Sequence, residues 1–260
     1  MQIRRSASPD DLEAARFHDS HMGYCSAKAP SDLGMSTMRR VAIVEPIRTP
    51  IGKFGGALSS IPAGELGAVV LRALVERTKI DPGRVDDVVF AQGYANGEAP
   101  CVGRWALLAA DFPVHVPGVQ LDRRCGSGLQ AVIDAAMMVQ TGAADVVVAG
   151  GVESMSNVEH YSTELRKGAR MGEAVMYDRL SRGRVMSQPI ARFGVITGMI
   201  ETAENLAKDY NISREQADEY AVMSHKPAPA AWAENRFADE IVPVPVPQKR
   251  GEPELFTKDE

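Results

Sequence analysis

Segments of strand length alternate with segments of helical periodicity between residues 41 and 149, and this alternation most constrains the fold. We predict them in the order strand 41–45, helix 63–77, strand 85–92, helix 104–110, strand 116–121 and strand 146–149. Strands that alternate with helices favour an α/β layered core. The last strand is apolar throughout and is closed by Gly150 and Gly151, which is typical of a central strand covered on both faces.

Composition excludes several classes of protein. A hydrophobic fraction of 45% and a charged fraction of 24% are ordinary for a soluble globular protein. The formal net charge of −5 gives no electrostatic reason to expect nucleic acid or an anionic membrane as a partner. No apolar run approaches the roughly 18 residues of a membrane span. The 3 cysteines are widely spaced and suggest no disulfide framework, so we expect a reducing compartment, the cytoplasm.

Residues 1–37 lack apolar periodicity, and we predict a poorly ordered leader, with Met1 and Met38 as alternative natural starts. The leader does not resemble a secretory signal, because no apolar block follows its first arginines. His18, His21 and Cys25 have the spacing of a partial metal site. No fourth ligand lies nearby in the sequence, so we interpret this spacing as coincidence and predict no metal site.

The pattern changes after residue 153. Residues 154–193 are rich in Met, Arg, Gly and Ser without clear periodicity, which is typical of functional or disordered loops. Helical periodicity then returns at 202–208, and a capping box at 213–216 predicts the start of a further helix. Pro227 and Pro229 predict a break or kink in that helix. The proline-rich stretch 241–247 predicts an edge strand or extended segment, because proline cannot donate to a ladder.

Cys125 has the sequence surroundings of a nucleophile. It precedes a predicted helix with a buried face formed by Leu129, Val132, Ile133 and Ala136. The positive end of the helix dipole favours a thiolate, and Gly126 and Gly128 remove side chains where a substrate would approach the backbone. The alternative is a buried cysteine that packs as a small hydrophobic residue, which is the commoner case. The two glycines weigh against this alternative, because they destabilise the helix and a cysteine that only packs would not require them.

A family resemblance rests on motifs that follow one another in order: RTPIGKFGG at 48–56, LDRRCGSGLQA at 121–131, GGVESMS at 150–156, ETAEN at 201–205 and RFADEIVP at 236–243. In these motifs the chain resembles the thiolases, which comprise acetyl-CoA acetyltransferases and 3-ketoacyl-CoA thiolases. The resemblance extends over residues 38–260. It implies a layered α/β/α core with an inserted, mostly helical loop domain.

The resemblance also implies a division of the chain. Residues 38–153 would form the first core half and carry the nucleophile, and 154–245 would form the loop domain used for coenzyme A binding and oligomerisation. Residues 246–260 would be a truncated return toward the core, with the C-terminal thiolase domain absent. The expected partners are then a second copy of the chain or the missing C-terminal half.

The resemblance assigns roles to individual residues. Cys125 matches the cysteine that accepts an acyl group as a thioester, and its backbone N–H would help to stabilise the oxyanion. His160 matches the position at the mouth of the coenzyme A pocket, with an ordinary surface histidine as the equally weighted alternative. Basic residues that could meet the phosphates of coenzyme A are Arg166, Lys167, Arg170 and Arg179. Coenzyme A thioester enters as a substrate, and no separate cofactor is expected.

The chain lacks motifs that the family carries in its second half. These are an asparagine motif, a Gly-His-Pro histidine that activates the nucleophile and a late Cys-x-Gly-Gly-Gly cysteine that acts as acid and base. General acid–base groups contribute roughly 10²–10⁴-fold each, so we expect little turnover from this chain alone. Two alternatives stay open: a non-catalytic acyl-CoA-binding or oligomerisation module, and the remnant of a disrupted gene.

Overall fold

The computed structural model describes residues 38–195 and 198–260. The predictions for the leader 1–37, including those for His18, His21 and Cys25, lie outside the described residues. In the described chain, no helix is both long enough and apolar enough to cross a membrane.

Three parallel strands form the central sheet. They are β1 (Asp87–Ala91), β2 (Gly118–Leu121) and β3 (Val147–Gly151), in the order β2-β1-β3. Val89 of β1 lies opposite Val119 on one side and Ala149 on the other. Each strand follows a helix or loop that returns the chain to the same end, as parallel pairing requires.

Helices cover both faces of this sheet. Helix α1 (Ala63–Thr78) and helix α2 (Val102–Ala109) pack with Val88 and Phe90 of β1. Helix α3 (Ser127–Thr141) packs on the opposite face, where its Ala131 meets Val89 and Ala91. Alternate residues of β1 therefore pack against opposite helical layers, because successive side chains of a strand point to opposite faces. The predicted α/β/α layering is confirmed, and from residue 63 to residue 151 the strand and helix positions agree within a few residues.

The predicted central position of the last strand is wrong for the described chain. β3 is an edge strand of the three-stranded sheet, and none of its residues is fully buried. The central strand is β1, in which every residue after Asp87 is buried. An apolar composition indicates that two faces are covered, but it does not specify which strands lie alongside.

The predicted strand at 41–45 is also wrong. Within residues 38–195 and 198–260 the segment pairs with no strand, Glu45 has a left-handed φ of 50°, and Ile43 and Val44 are 76% and 75% exposed. Pairing begins only at Arg48, which forms an isolated parallel bridge with Ile241. A cleft of about 670 Å³ is lined on one side by residues 43–54 and on the other by β3. An apolar segment without a neighbouring strand has no ladder to join.

Residues 154–233 contain short strands and helices. Strand β4 (His160–Tyr161) pairs antiparallel with β5 (Tyr177–Asp178). The helices that follow are α4 (Arg179–Val185), α5 (Ile190–Phe193), α6 (Met199–Asp209), α7 (Arg214–His225) and α8 (Pro227–Ala233). The assignment of 154–245 as a loop domain stays a prediction.

Two local predictions in this region are confirmed. Ser213 and Gln216 form the capping box at the start of α7, with both reciprocal hydrogen bonds present. The helix is interrupted at Lys226, and Pro227 and Pro229 lie in the first turn of α8, where a missing N–H leaves no helical bond unmade. Lys226 itself keeps helical backbone angles.

The predicted extended segment near residue 244 is confirmed as a strand. β6 (Val244–Val246) pairs antiparallel with β7 (Glu254–Phe256), and Pro245 lies opposite Leu255. Val244 is fully buried in a cluster with Leu58, Ile61 and Leu66. This packing attaches the hairpin to the start of α1.

Candidate active site

Cys125 lies in a tight turn between β2 and α3. We call residues 122–127 the cysteine turn. Arg124–Gly126 form a single 3-10 turn, and α3 begins at Ser127. Cys125 is exposed, so the alternative of a cysteine packed in the interior is wrong. Its role as a nucleophile stays a prediction.

The backbone of the cysteine turn adopts an uncommon conformation. Arg124 has a φ of 50°, a left-handed value that few non-glycine residues adopt. Asp122 holds it locally, because its Oδ1 accepts a hydrogen bond from the Arg124 N–H at 2.8 Å. Ser127 Oγ accepts from the Arg123 N–H at 2.7 Å and donates to the Arg124 carbonyl at 2.6 Å. These bonds present Cys125 on the outside of the turn at the start of the helix.

Gly126 and Gly128 border open space. A methyl group at Gly128 would meet nothing within 4 Å, and one at Gly126 would come no closer than 3.7 Å to Arg123. Neither glycine has a positive φ. Packing within the described chain therefore does not require these glycines. The surface beside Cys125 is free for a substrate to approach the backbone.

The predicted buried face of α3 needs a correction. Leu129 and Ile133 belong to that prediction, yet they are 68% and 42% exposed, and Met137 is 48% exposed. They are spaced four residues apart and form one stripe, which we call the α3 stripe. The buried residues of the helix are instead small, and one of them, Ala131, packs against the sheet, while Ala135 is also buried. The helix is apolar on more than one face, so its periodicity does not determine which face meets the sheet.

Glu153 is a residue at this site that the sequence did not reveal as functional. Its Oε2 accepts hydrogen bonds from the N–H of Gly93 at 2.8 Å and of Tyr94 at 3.3 Å. The Gly93 carbonyl in turn accepts a hydrogen bond from the Arg124 guanidinium, which lies 6.0 Å from the centre of the Tyr94 ring. Its sequence signal was its place in the GGVESMS motif, two residues after the glycines that end β3.

The surroundings of the Glu153 carboxyl shift its pKa. Glu153 is exposed as a residue, but loss of solvent around its carboxyl raises the pKa above its usual value. The negative charge of Asp122 raises this pKa further, whereas the N–H groups of Gly93 and Tyr94 and the charge of Arg124 lower it. Desolvation is the largest of these effects.

His160 is exposed in β4, opposite Asp178. Its charge contributes to lowering the pKa of Asp178, although the main cause is the hydrogen bond from the Leu180 N–H. No hydrogen bond or ion pair between described residues connects His160 with the cysteine turn. The structure therefore does not join these two predicted site residues by a polar contact.

The basic residues predicted to meet phosphates differ in availability. Arg179 forms an ion pair with Glu159 at 3.2 Å and donates to the carbonyl of Ala95. Arg166, Lys167 and Arg170 are exposed. Among residues 38–195 and 198–260, no group of three or more His, Cys, Asp or Glu side chains could hold a metal ion.

Comparison with known proteins gives consistent similarities. A family model described as "Thiolase, N-terminal domain" matches residues 41–260. The chain is 40% identical over 232 residues to an acetyl-CoA acetyltransferase of Cupriavidus necator, covering 86% of this chain and 56% of the relative. It is 43% identical over 221 residues to one of Chromobacterium violaceum, covering 85% and 55%.

A solved structure is also similar. The crystal structure of the Bacillus anthracis acetyl-CoA acetyltransferase matches with a TM-score of 0.79 and 39% identity, covering 86% of this chain and 55% of the other. The chain thus spans little more than half the length of these relatives.

Proposed function

The chain belongs to the thiolase family, and we propose that it supplies the acyl-accepting cysteine of a thiolase-type acyl-CoA acyltransferase. The reaction would be that of an acetyl-CoA C-acetyltransferase or a 3-ketoacyl-CoA thiolase. One observation carries this proposal: Cys125 is exposed in a tight turn at the start of α3, beside open space. The names of similar proteins support the choice of acetyl-CoA as a substrate.

The proposed step is an exchange of thioesters. The Cys125 thiolate attacks the carbonyl carbon of an acyl-CoA, and a new S–C bond forms through a tetrahedral intermediate. The old S–C bond breaks, coenzyme A leaves as a thiolate and the acyl group stays on Cys125. Covalent catalysis of this kind divides one difficult transfer into two easier ones. The Cys125 N–H would stabilise the developing oxyanion, and the helix N-terminus would favour the attacking thiolate.

Coenzyme A would be bound as a substrate by the region after β3. His160 is exposed and would lie at the mouth of the coenzyme A pocket, and Arg166, Lys167 and Arg170 are exposed cations that suit phosphate groups. Arg179 is less suited, because it already binds Glu159.

A partner would complete the molecule. The open edge of β3, the unpaired segment 41–45 and the α3 stripe are apolar surfaces that lie outside any packed layer of the described chain. Exposed apolar surface of this kind marks an interaction site. We propose that a C-terminal thiolase half, or a further copy of the chain, covers it and supplies the groups that activate Cys125.

A binding module without catalysis is the second candidate. It is favoured by one observation: within the described residues, no histidine forms a hydrogen bond with Cys125. A module of this kind would bind acyl-CoA and oligomerise, but would form no covalent acyl intermediate.

Intact-mass spectrometry after incubation with acetyl-CoA separates the two candidates. We expect slow acetylation of the purified chain at Cys125, none in Cys125→Ala, and little thiolysis of acetoacetyl-CoA by the chain alone. Labelling at Cys101 to the same extent would contradict the proposal, as would turnover that survives Cys125→Ala. Binding of acetyl-CoA without any covalent label would favour the second candidate.

A further inference from the structure

Glu153 and Cys125 follow the ends of two different strands, but a short series of contacts connects them. β1, β2 and β3 are parallel, so the residues that follow them emerge at the same edge of the sheet. Gly93 and Tyr94 follow β1, the cysteine turn follows β2, and Glu153 follows β3. The three loops therefore meet beside one another, with the loop of the central strand in the middle.

The contacts lead from Glu153, through the segment after β1, to the cysteine turn. The Glu153 carboxylate accepts the N–H groups of Gly93 and Tyr94, which fixes the orientation of that peptide segment. The Gly93 carbonyl then receives the Arg124 guanidinium, which also forms an ion pair with Asp122 at 3.2 Å. Arg124 is the residue with left-handed backbone that directly precedes Cys125.

The geometry points to Glu153 as a positioning residue of the cysteine turn, acting through the Gly93–Tyr94 segment and Arg124. The inference rests on the proposed function of Cys125 as the acyl acceptor. Left-handed backbone at a non-glycine residue costs free energy and persists only where the surroundings determine it. Asp122 and Ser127 supply the contacts from within the turn, and Glu153 holds the segment after β1 whose Gly93 carbonyl accepts the Arg124 guanidinium.

Two neutral substitutions separate the acceptor from the charge. Glu153→Gln keeps one oxygen that can accept the Gly93 N–H, whereas Glu153→Ala removes both oxygens. Neither variant carries the negative charge, so a difference between them does not come from the loss of charge. Glu173→Ala is the matched control, because Glu173 is an exposed glutamate in the region after β3 with no contact to the turn.

The reactivity of Cys125 toward iodoacetamide is the functional readout. The helix N-terminus favours the reactive thiolate, and we expect loss of this placement to make alkylation about tenfold slower in Glu153→Ala than in Glu153→Gln. Cys101 is half-buried at the start of α2, and its rate in the same sample reports general unfolding. A merely structural role for Glu153 would change both cysteines together, and a positioning role changes Cys125 alone.

Amide hydrogen exchange of residues 122–127 is the structural readout. We expect faster exchange in Glu153→Ala, with near-normal exchange in Glu153→Gln and Glu173→Ala. Unchanged exchange and unchanged Cys125 reactivity in Glu153→Ala would overturn the inference. If Cys125 reacts no faster than Cys101 in the unmodified chain, the proposed function fails instead. The exchange measurement then still decides whether Glu153 holds the turn.

Discussion

Arg48 and Asp259, 211 positions apart, are joined by two parallel hydrogen bonds, Nη1 to Oδ1 at 2.8 Å and Nη2 to Oδ2 at 3.2 Å. The same guanidinium binds Glu240 through Nε at 2.6 Å. Asp259 also accepts the Ile51 N–H at 2.8 Å. This group of contacts ties the segment after β7 to the segment that precedes α1.

We expect Asp259→Asn to lower the free energy of unfolding by about 1 kcal/mol, because it removes a two-bond ion pair that is only partly exposed. The matched control is Asp218→Asn, which breaks the highly exposed pair with Arg214 and should cost less than about 0.5 kcal/mol. Urea unfolding followed by circular dichroism measures both. Equal effects of the two substitutions would contradict this ranking.

The Arg48–Asp259 pair should also make stability depend on acid pH. Desolvation raises the pKa of Asp259, but the hydrogen bonds from Arg48 and Ile51 and the charge of Arg48 outweigh it, so the folded pKa lies below 3.8. A lowered carboxyl pKa contributes stability above the unfolded value, and this stability is lost as the pH falls through the folded value. The melting temperatures of the unmodified chain and Asp259→Asn should therefore differ at neutral pH and converge below about pH 3.8. A difference that persists undiminished at lower pH would contradict the assignment.

Two glycines should respond to alanine in opposite ways. A methyl group at Gly103 in α2 would lie 2.6 Å from the Val119 carbonyl oxygen, a backbone atom that cannot move away alone. We expect Gly103→Ala to destabilise the chain by about 1–3 kcal/mol. Gly128→Ala meets no atom within 4 Å and should stabilise α3 by about 0.5–1 kcal/mol. Thermal melts of the two variants test this, and a destabilising Gly128→Ala would show that the space beside Cys125 is occupied.

Ile133→Glu should leave the chain folded but prevent docking of a second half. Ile133 is 42% exposed, so the substitution should cost less than about 0.5 kcal/mol in the chain alone. Binding is measured by co-purification with the part of the Bacillus anthracis enzyme that lies beyond its match to this chain. The two corresponding parts of that enzyme, expressed separately, are the positive control.

Met171→Glu is the matched variant, because Met171 is 96% exposed and lies outside the α3 stripe. It should bind as well as the unmodified chain. If Ile133→Glu binds equally well, the α3 stripe is not the docking surface. If the control parts associate and this chain does not, the proposed partner is wrong.

Local patterns were sufficient to predict most helices and strands. The periodicity of α1, the capping box at Ser213 and the prolines near α8 act within a few residues, so the sequence reports them directly. The errors concern neighbours in space. The edge position of β3 and the unpaired state of 41–45 depend on which strands lie alongside, and single-strand composition does not contain that information.

The candidate site divides in the same way. Cys125 and its glycines are adjacent in sequence, and their spacing predicted a nucleophile at the start of a helix. Glu153 was missed because its partners Gly93 and Tyr94 lie 60 and 59 positions away. A carboxylate that binds backbone N–H groups needs no particular side chain opposite it, so its partners leave no trace in the sequence.

The open edge of β3 has a consequence for how this chain behaves at high concentration. A parallel edge with unpaired N–H and C=O groups and apolar faces is a template that accepts a strand from any chain nearby. The residues that normally guard such an edge, prolines and inward charges, do not occur within β3 itself. The yield of soluble protein should therefore fall steeply as the chain is concentrated. Replacing one residue of β3 with lysine, as in Ala149→Lys, should recover soluble protein and abolish docking of the second half.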